Sequence, residues 1–114
     1  MIQIEGRHSV TNSQSDVEYR KFTIEEIQEI IKNGGRGMLH TNGKYFINGI
    51  TYFGSCLSVG EETIPYEKEG KIIVPTYFKR FMLSDGGDGD PEEKVHVEVE
   101  VEMNEDVFIT LVGA

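Results

Sequence analysis

Between Lys94 and Met103 the chain reads KVHVEVEVEM, with apolar and polar positions alternating without a fault. A period of two belongs to a strand with one covered face. Val95, Val97, Val99, Val101 and Met103 are therefore expected to point inward, and His96, Glu98, Glu100 and Glu102 outward. VFITLV, Val107 to Val112, alternates between two faces that are both apolar, the pattern of a central strand or of a strand at a subunit contact. Only FTIEEIQEIIKNGG carries the helical period, with Ile24, Ile27, Ile30 and Ile31 on one stripe. Thr23 and Glu26 have the spacing of a capping box, Phe22 and Ile27 that of a hydrophobic staple, and Gly34 or Gly35 supplies a left-handed stop.

In RGMLHTNGKYFINGITYFGSCLSV, the pairs Asn42-Gly43 and Asn48-Gly49 predict a three-stranded meander with two-residue loops. Thr41 then pairs with Lys44, His40 with Tyr45, Leu39 with Phe46 and Met38 with Ile47. The second turn sets Ile47 opposite Ile50, Phe46 opposite Thr51 and Tyr45 opposite Tyr52. Met38, His40, Tyr45, Ile47, Ile50 and Tyr52 share one face, with Leu39, Phe46 and Phe53 on the other. TIPYEKEGKIIVP predicts a hairpin whose Pro65 and Pro75 belong at edges or strand ends, and TYFKRFML reads as a continuing strand. The fold class expected is α+β: a mainly antiparallel sheet of about six to seven strands with one amphipathic helix near residues 23–33.

A chain of 114 residues fits a single compact domain, 1–114. No run of 18 apolar residues predicts a membrane span, and MIQIEGRHSV lacks the pattern of a secretory leader. Cys56 is the single cysteine, so no internal disulfide can form, and a cytoplasmic setting is the expectation. Ile4-Glu5-Gly6-Arg7 spells a cleavage site often placed behind purification tags, which makes residues 1–7 candidates for a processing remnant.

Charge changes the picture once it is located. Between Asp85 and Asp106 stand Asp85, Asp88, Asp90, Glu92, Glu93, Glu98, Glu100, Glu102, Glu105 and Asp106 against Lys94 alone, a balance of −9 that equals the whole chain's. The remainder is neutral, so the acidity belongs to one element. Outward Glu98, Glu100 and Glu102 recur about 6.6 to 6.8 Å apart, and each neighbouring pair repels by roughly 0.6 kcal/mol in bulk water. Only a neighbouring strand or a partner bearing Lys or Arg would reverse that sign, and VFITLV, if it is that neighbour, offers neither.

Motifs with defined chemistry fail against this chain. A helix-flanked calcium loop started at Asp88 fits Asp88, Asp90 and Glu92, but its Gly position holds Glu93 and its last ligand position Val99. Neither Gly43-Lys44 nor Gly70-Lys71 has the preceding glycine of a phosphate loop, since Met38 and Pro65 stand there. In the meander, Cys56 and His40 lie two strands apart, about 9 to 10 Å, outside the reach of a nucleophilic dyad. No metal, no cofactor and no catalytic residue is expected, and the chain does not read as an enzyme. The aromatic-basic run Tyr77 to Phe81 resembles a base-stacking strand, yet an acidic domain repels nucleic acid, so no direct nucleic-acid binding is expected.

Three functions remain as expectations. The first is a small acidic, non-enzymatic binding protein. Its partner-binding residues would be Asp85, Asp88, Asp90, Glu92, Glu93, Glu98, Glu100 and Glu102, docked as an acidic hairpin on a basic protein surface. A row of carboxylates imitates a phosphate strand, and in composition the chain resembles inhibitors and accessory proteins of phages and mobile elements. The plainer use of such a row is to keep an exposed strand edge from aggregating and the protein soluble. The second is an assembly subunit forming a homo-oligomer through strand 107–112. The third is a binder of a small anionic, nucleotide-like ligand using Arg36, His40, Tyr45, Tyr52, Lys79 and Arg80.

Overall fold

The computed structural model describes residues 2–11, 16–41, 45–54, 56–79 and 94–114. Among these, ten strands and one helix follow in the order β1 (Gln3–Ser9), β2 (Val17–Thr23), α1 (Ile24–Lys32), β3 (Arg36–His40), β4 (Tyr45–Ile47), β5 (Ile50–Tyr52), β6 (Cys56–Val59), β7 (Tyr66–Lys68), β8 (Lys71–Lys79), β9 (Lys94–Val101) and β10 (Phe108–Val112). No helix among them is long and apolar enough to cross a membrane.

The helix forms where its caps place it. Thr23 Oγ1 accepts from the Glu26 backbone N–H at 3.2 Å, and Glu26 Oε1 accepts from the Thr23 N–H at 3.2 Å, so two end donors are satisfied reciprocally. The Thr23 amide holds the Glu26 carboxyl below its ordinary range, against the opposing effect of burial, and Arg20 adds to the lowering. This contribution is complete above the ordinary glutamate range and fades as pH falls through the lowered value. At the other end Gly34 takes φ +104, with Gly34 N–H donating to Ile31 O and Gly35 N–H to Ile30 O, a Schellman closure. Thr23→Ala is expected to cost about 1 kcal/mol in a denaturant titration, because the Glu26 amide loses its acceptor.

The strands make two five-stranded sheets, β2-β1-β10-β3-β6 and β5-β4-β9-β8-β7. Every pairing is antiparallel except β1 with β10. The mainly antiparallel class with one helix agrees with the sequence reading, but ten strands replace the expected six to seven. β2 is one of the added strands: only Phe22 is buried on this edge strand, so VEYRKFT shows no alternation. Residues 4–7, despite spelling a tag-cleavage site, form the middle of β1 with Ile4 fully buried.

The expected meander is corrected in its first half. β4 and β5 pair as read, Tyr45 with Tyr52 and Ile47 with Ile50, across Asn48 and Gly49 at φ 51 and 80. β3, however, does not pair with β4. It lies between β10 and β6 in the other sheet, with Leu39 opposite both Ile109 and Leu57. Asn42-Gly43 falls outside the described residues. The β7–β8 turn forms as expected, and β8 runs on through Pro75. Pro75 lies beyond the last β7 partner of β8, the Tyr66–Ile73 pair, so its missing N–H faces a locally open edge.

One core joins the layers. Leu39, Leu57, Val59, Ile109 and Leu111 from the first sheet meet Tyr45, Ile47, Ile72, Val74, Val99 and Val101 from the second, and α1 adds Ile24, Ile27 and Ile31. Gln28 Nε2 donates to Pro65 O at 2.9 Å, fixing the helix to the segment that enters β7. Arg20 lies 4.1 Å from the Phe22 ring centroid and reaches Glu26 at 2.6 Å, a half-exposed tie between β2 and α1 that adds orientation more than stability.

Candidate functional site

Alternation leaves each sheet a second face, and the two outer faces differ in chemistry. On the second sheet β9 is the middle strand, with β4 and β8 as neighbours. VFITLV is not its neighbour, and the reading of its glutamates as guards of an exposed edge is corrected for Glu100, which has Phe46 on one side and Ile73 on the other. Val99 and Val101 are buried and Val95 and Val97 half-buried, while His96 and Glu98 are exposed, as the alternation predicts.

A cross-strand row runs Thr51, Phe46, Glu100, Ile73, Tyr66 over all five strands. Ile73, next to Glu100 in this row, is only 4% exposed although it lies on the face away from the core. Tyr66 Oη donates to Glu98 Oε1 at 2.9 Å, and Lys71 Nζ stands 3.5 Å from Glu100 Oε2. Burial, and then the Glu98 carboxylate, push the Tyr66 phenol above its ordinary value. Neighbouring strands thus supply the base and the donor that the sequence reading did not find. Glu102, just past the end of β9, is exposed. Tyr77, 50% exposed, meets His96 edge-on at 5.2 Å between ring centroids. Asp85, Asp88, Asp90, Glu92 and Glu93 lie outside the described residues, and with them the calcium-loop test.

The first sheet's outer face is built from other chemistry. One register row reads Cys56, His40, Phe108, Glu5, Lys21, and the next Ser58, Met38, Thr110, Arg7, Tyr19. A third brings Arg36, Val112, Ser9 and Val17 together. β10, read as a central strand with two apolar faces, is the middle strand of this sheet. Its second face, Phe108, Thr110 and Val112, is half-buried.

The proposed anion-binding set is divided by this topology. Arg36 and His40 belong to the first sheet's outer face. Tyr45 and Tyr52 stack at 6.2 Å in the second sheet, with Tyr45 in the core, where burial raises its phenol pKa. Lys79 ends β8, and Arg80 lies outside the described residues. Because β3 and β6 are adjacent, Cys56 is directly opposite His40, not two strands away. His40 Nε2 is also 3.4 Å from Thr110 Oγ1, and its ring lies 5.7 Å from that of Phe108. Among the described residues no group of three or more His, Cys, Asp or Glu is arranged to hold a metal ion.

Arg7, Tyr19 and Lys21 were missed as surface-forming residues. The usable signal was the alternation in QIEGRHS, where buried Ile4 forces Glu5 and Arg7 to the opposite face.

The geometry defines a mainly antiparallel two-sheet domain with one helix and two dissimilar outer faces. No family model, no curated protein and no solved structure matches it.

Proposed function

We propose that the protein is a non-enzymatic binding module that offers the outer face of its second sheet, with the acidic segment 85–93 leading into β9, to a basic protein surface. The observation that carries this reading is the position of β9 as third of five strands. Outward Glu100 has Phe46 on one side and Ile73 on the other, in the middle of a sheet face, so guarding an edge gives no reason for it. Tyr66 and Lys71 hold Glu98 and Glu100 in fixed directions, which reduces the side-chain freedom lost on docking. Exposed Tyr77 beside the row adds the aromatic contact common at protein interfaces.

The test compares immobilised wild type with a Glu98→Gln, Glu100→Gln, Glu102→Gln variant, each exposed to lysate of the source organism and eluted in salt steps. A basic protein held by wild type, released by moderate salt and lost from the variant is the expected result. Equal retention by both proteins would remove the glutamate row from the function.

A second reading, assembly through strand 107–112, is favoured by the outward, half-buried Phe108 and Val112 with 38% exposed Met38 beside them.

A further inference from the structure

The first sheet's outer face is a patch of unmatched positive charge around apolar side chains. Arg7 and Arg36 are both exposed, and among the described residues no ion pair joins either to a carboxylate. Glu5, the acid of these rows, already lies 4.0 Å from Lys21. Between the two arginine positions in the register stand Met38, Thr110 and Val112, which with Arg36 and Ser58 line an open groove of about 320 Å³. A fitting surface has carboxylates spaced as these arginines are, with an apolar group between or beside them.

The same molecule carries such a surface on its other sheet. Arg7 and Arg36 are separated by two strand spacings and one two-residue step, about 12 Å between Cα atoms. Glu98 and Glu102, both exposed, are four residues apart in extended chain, about 13 Å. Tyr77 lies one two-residue step along β8 from Pro75, the partner of Glu98, and offers the apolar group.

We propose that copies of this chain associate front to back, the Glu98, Glu102 and Tyr77 surface of one copy seated on the Arg7, Arg36 and Met38 surface of the next. This rests on the reading of the β9 face as a protein-binding surface, and it names a second copy as its basic partner. The two surfaces are different, so the contact is heterologous: each added copy leaves one surface of each kind open, and growth continues unless curvature closes a ring. The overall charge of −9 opposes association. At about 0.15 M salt, where the Debye length is about 8 Å, that repulsion is screened more than the charges in contact.

Sedimentation equilibrium at that salt tests the contact with two variants, Arg7→Glu/Arg36→Glu and Glu98→Lys/Glu102→Lys. Wild type is expected to rise with concentration from the 12.9 kDa monomer past the mass of a dimer. Each variant alone keeps one intact surface without its complement and stays monomeric. Their equimolar mixture joins intact surface to intact surface and reversed surface to reversed surface, so it grows past the dimer again. The milder pair Arg7→Gln/Arg36→Gln and Glu98→Gln/Glu102→Gln must each stay monomeric and, because their neutral surfaces do not recombine, must stop at the dimer when mixed, which guards against a reversed charge that impairs folding.

Wild type that remains at 12.9 kDa up to about 1 mM, the weak end of specific association, overturns the proposal. So does a mixture of the individually monomeric variants that fails to dimerise, or a variant that self-associates as wild type does. A monomeric wild type that still captures a salt-released basic protein through its glutamates leaves the proposed function standing and removes only the self-contact.

Discussion

Gly37→Ala is expected to lower the melting temperature by about 12 °C or more. Gly37 sits in β3 opposite Leu111 on one side and Val59 on the other. A Cβ built there runs into the Thr110 carbonyl oxygen and comes within 3.1 Å of the Leu111 Cα. Those atoms are backbone of the middle strand, so no side-chain rotation relieves the contact and β3 must move away from β10. Fully buried Leu39 and Ile109, which face each other across that ladder, move with it. A cost of about 3 kcal/mol or more follows for such overpacking, at about 4 °C per kcal/mol for a domain of this size. Gly60→Ala is the control: its Cβ would meet nothing closer than 4.0 Å, and the change should leave the melt nearly unmoved. Thermal unfolding followed by circular dichroism checks both. If Gly37→Ala melts with wild type, β3 is not packed against β10 in this way.

Phe22→Ala is expected to cost about 3–5 kcal/mol, a large share of the roughly 5–15 kcal/mol that holds a domain together. Among the described residues Phe22 is the largest fully buried side chain, and it precedes the helix cap. It takes the His8 ring edge-on at 6.3 Å and lies under the Arg20 guanidinium. Its removal empties the corner where β1, β2 and α1 meet. Tyr19→Ala on the same strand removes a side chain 69% exposed, and its cost should stay within about 0.5 kcal/mol. Urea titration separates the two, with the midpoint falling for Phe22→Ala at an unchanged slope. A Tyr19→Ala effect as large as that of Phe22→Ala would place the strand in the opposite register.

What was legible in the sequence was local. The helix and both its ends, the Asn48-Gly49 turn, the hairpin around Gly70 and the two faces of β9 each depend on residues a few positions apart. Strand order does not. The Asn42-Gly43 pair promised a partner for β3, but which strands flank β3 is decided by the shared burial of Leu39 with Ile109 and Leu57, segments up to about seventy residues away. Gly37 was the overlooked signal, since a glycine inside a strand marks close backbone approach that a hairpin with β4 gave no reason for. The candidate site followed the same division. The outward direction of Glu98, Glu100 and Glu102 could be read from alternation, whereas Tyr66, Lys71 and the Cys56–His40 opposition depend on which strands become neighbours.

The parallel pair of β1 and β10 has a consequence for synthesis. In the order β2-β1-β10-β3-β6, the first sheet is two separate halves until β10 arrives between them. The β1–β2 hairpin leaves the ribosome early, yet its inner edge waits about a hundred residues for Thr110 to come opposite Arg7. Until then β1 and β3 each present an unpaired edge to whatever else is in solution. When the last strand enters, the Gly113 amide donates to the Ser9 carbonyl, and the His8 ring donates to the Gly113 carbonyl at 2.8 Å. Completion of this sheet therefore waits on one long loop closure, made when the six residues from Val107 to Val112 come between its halves.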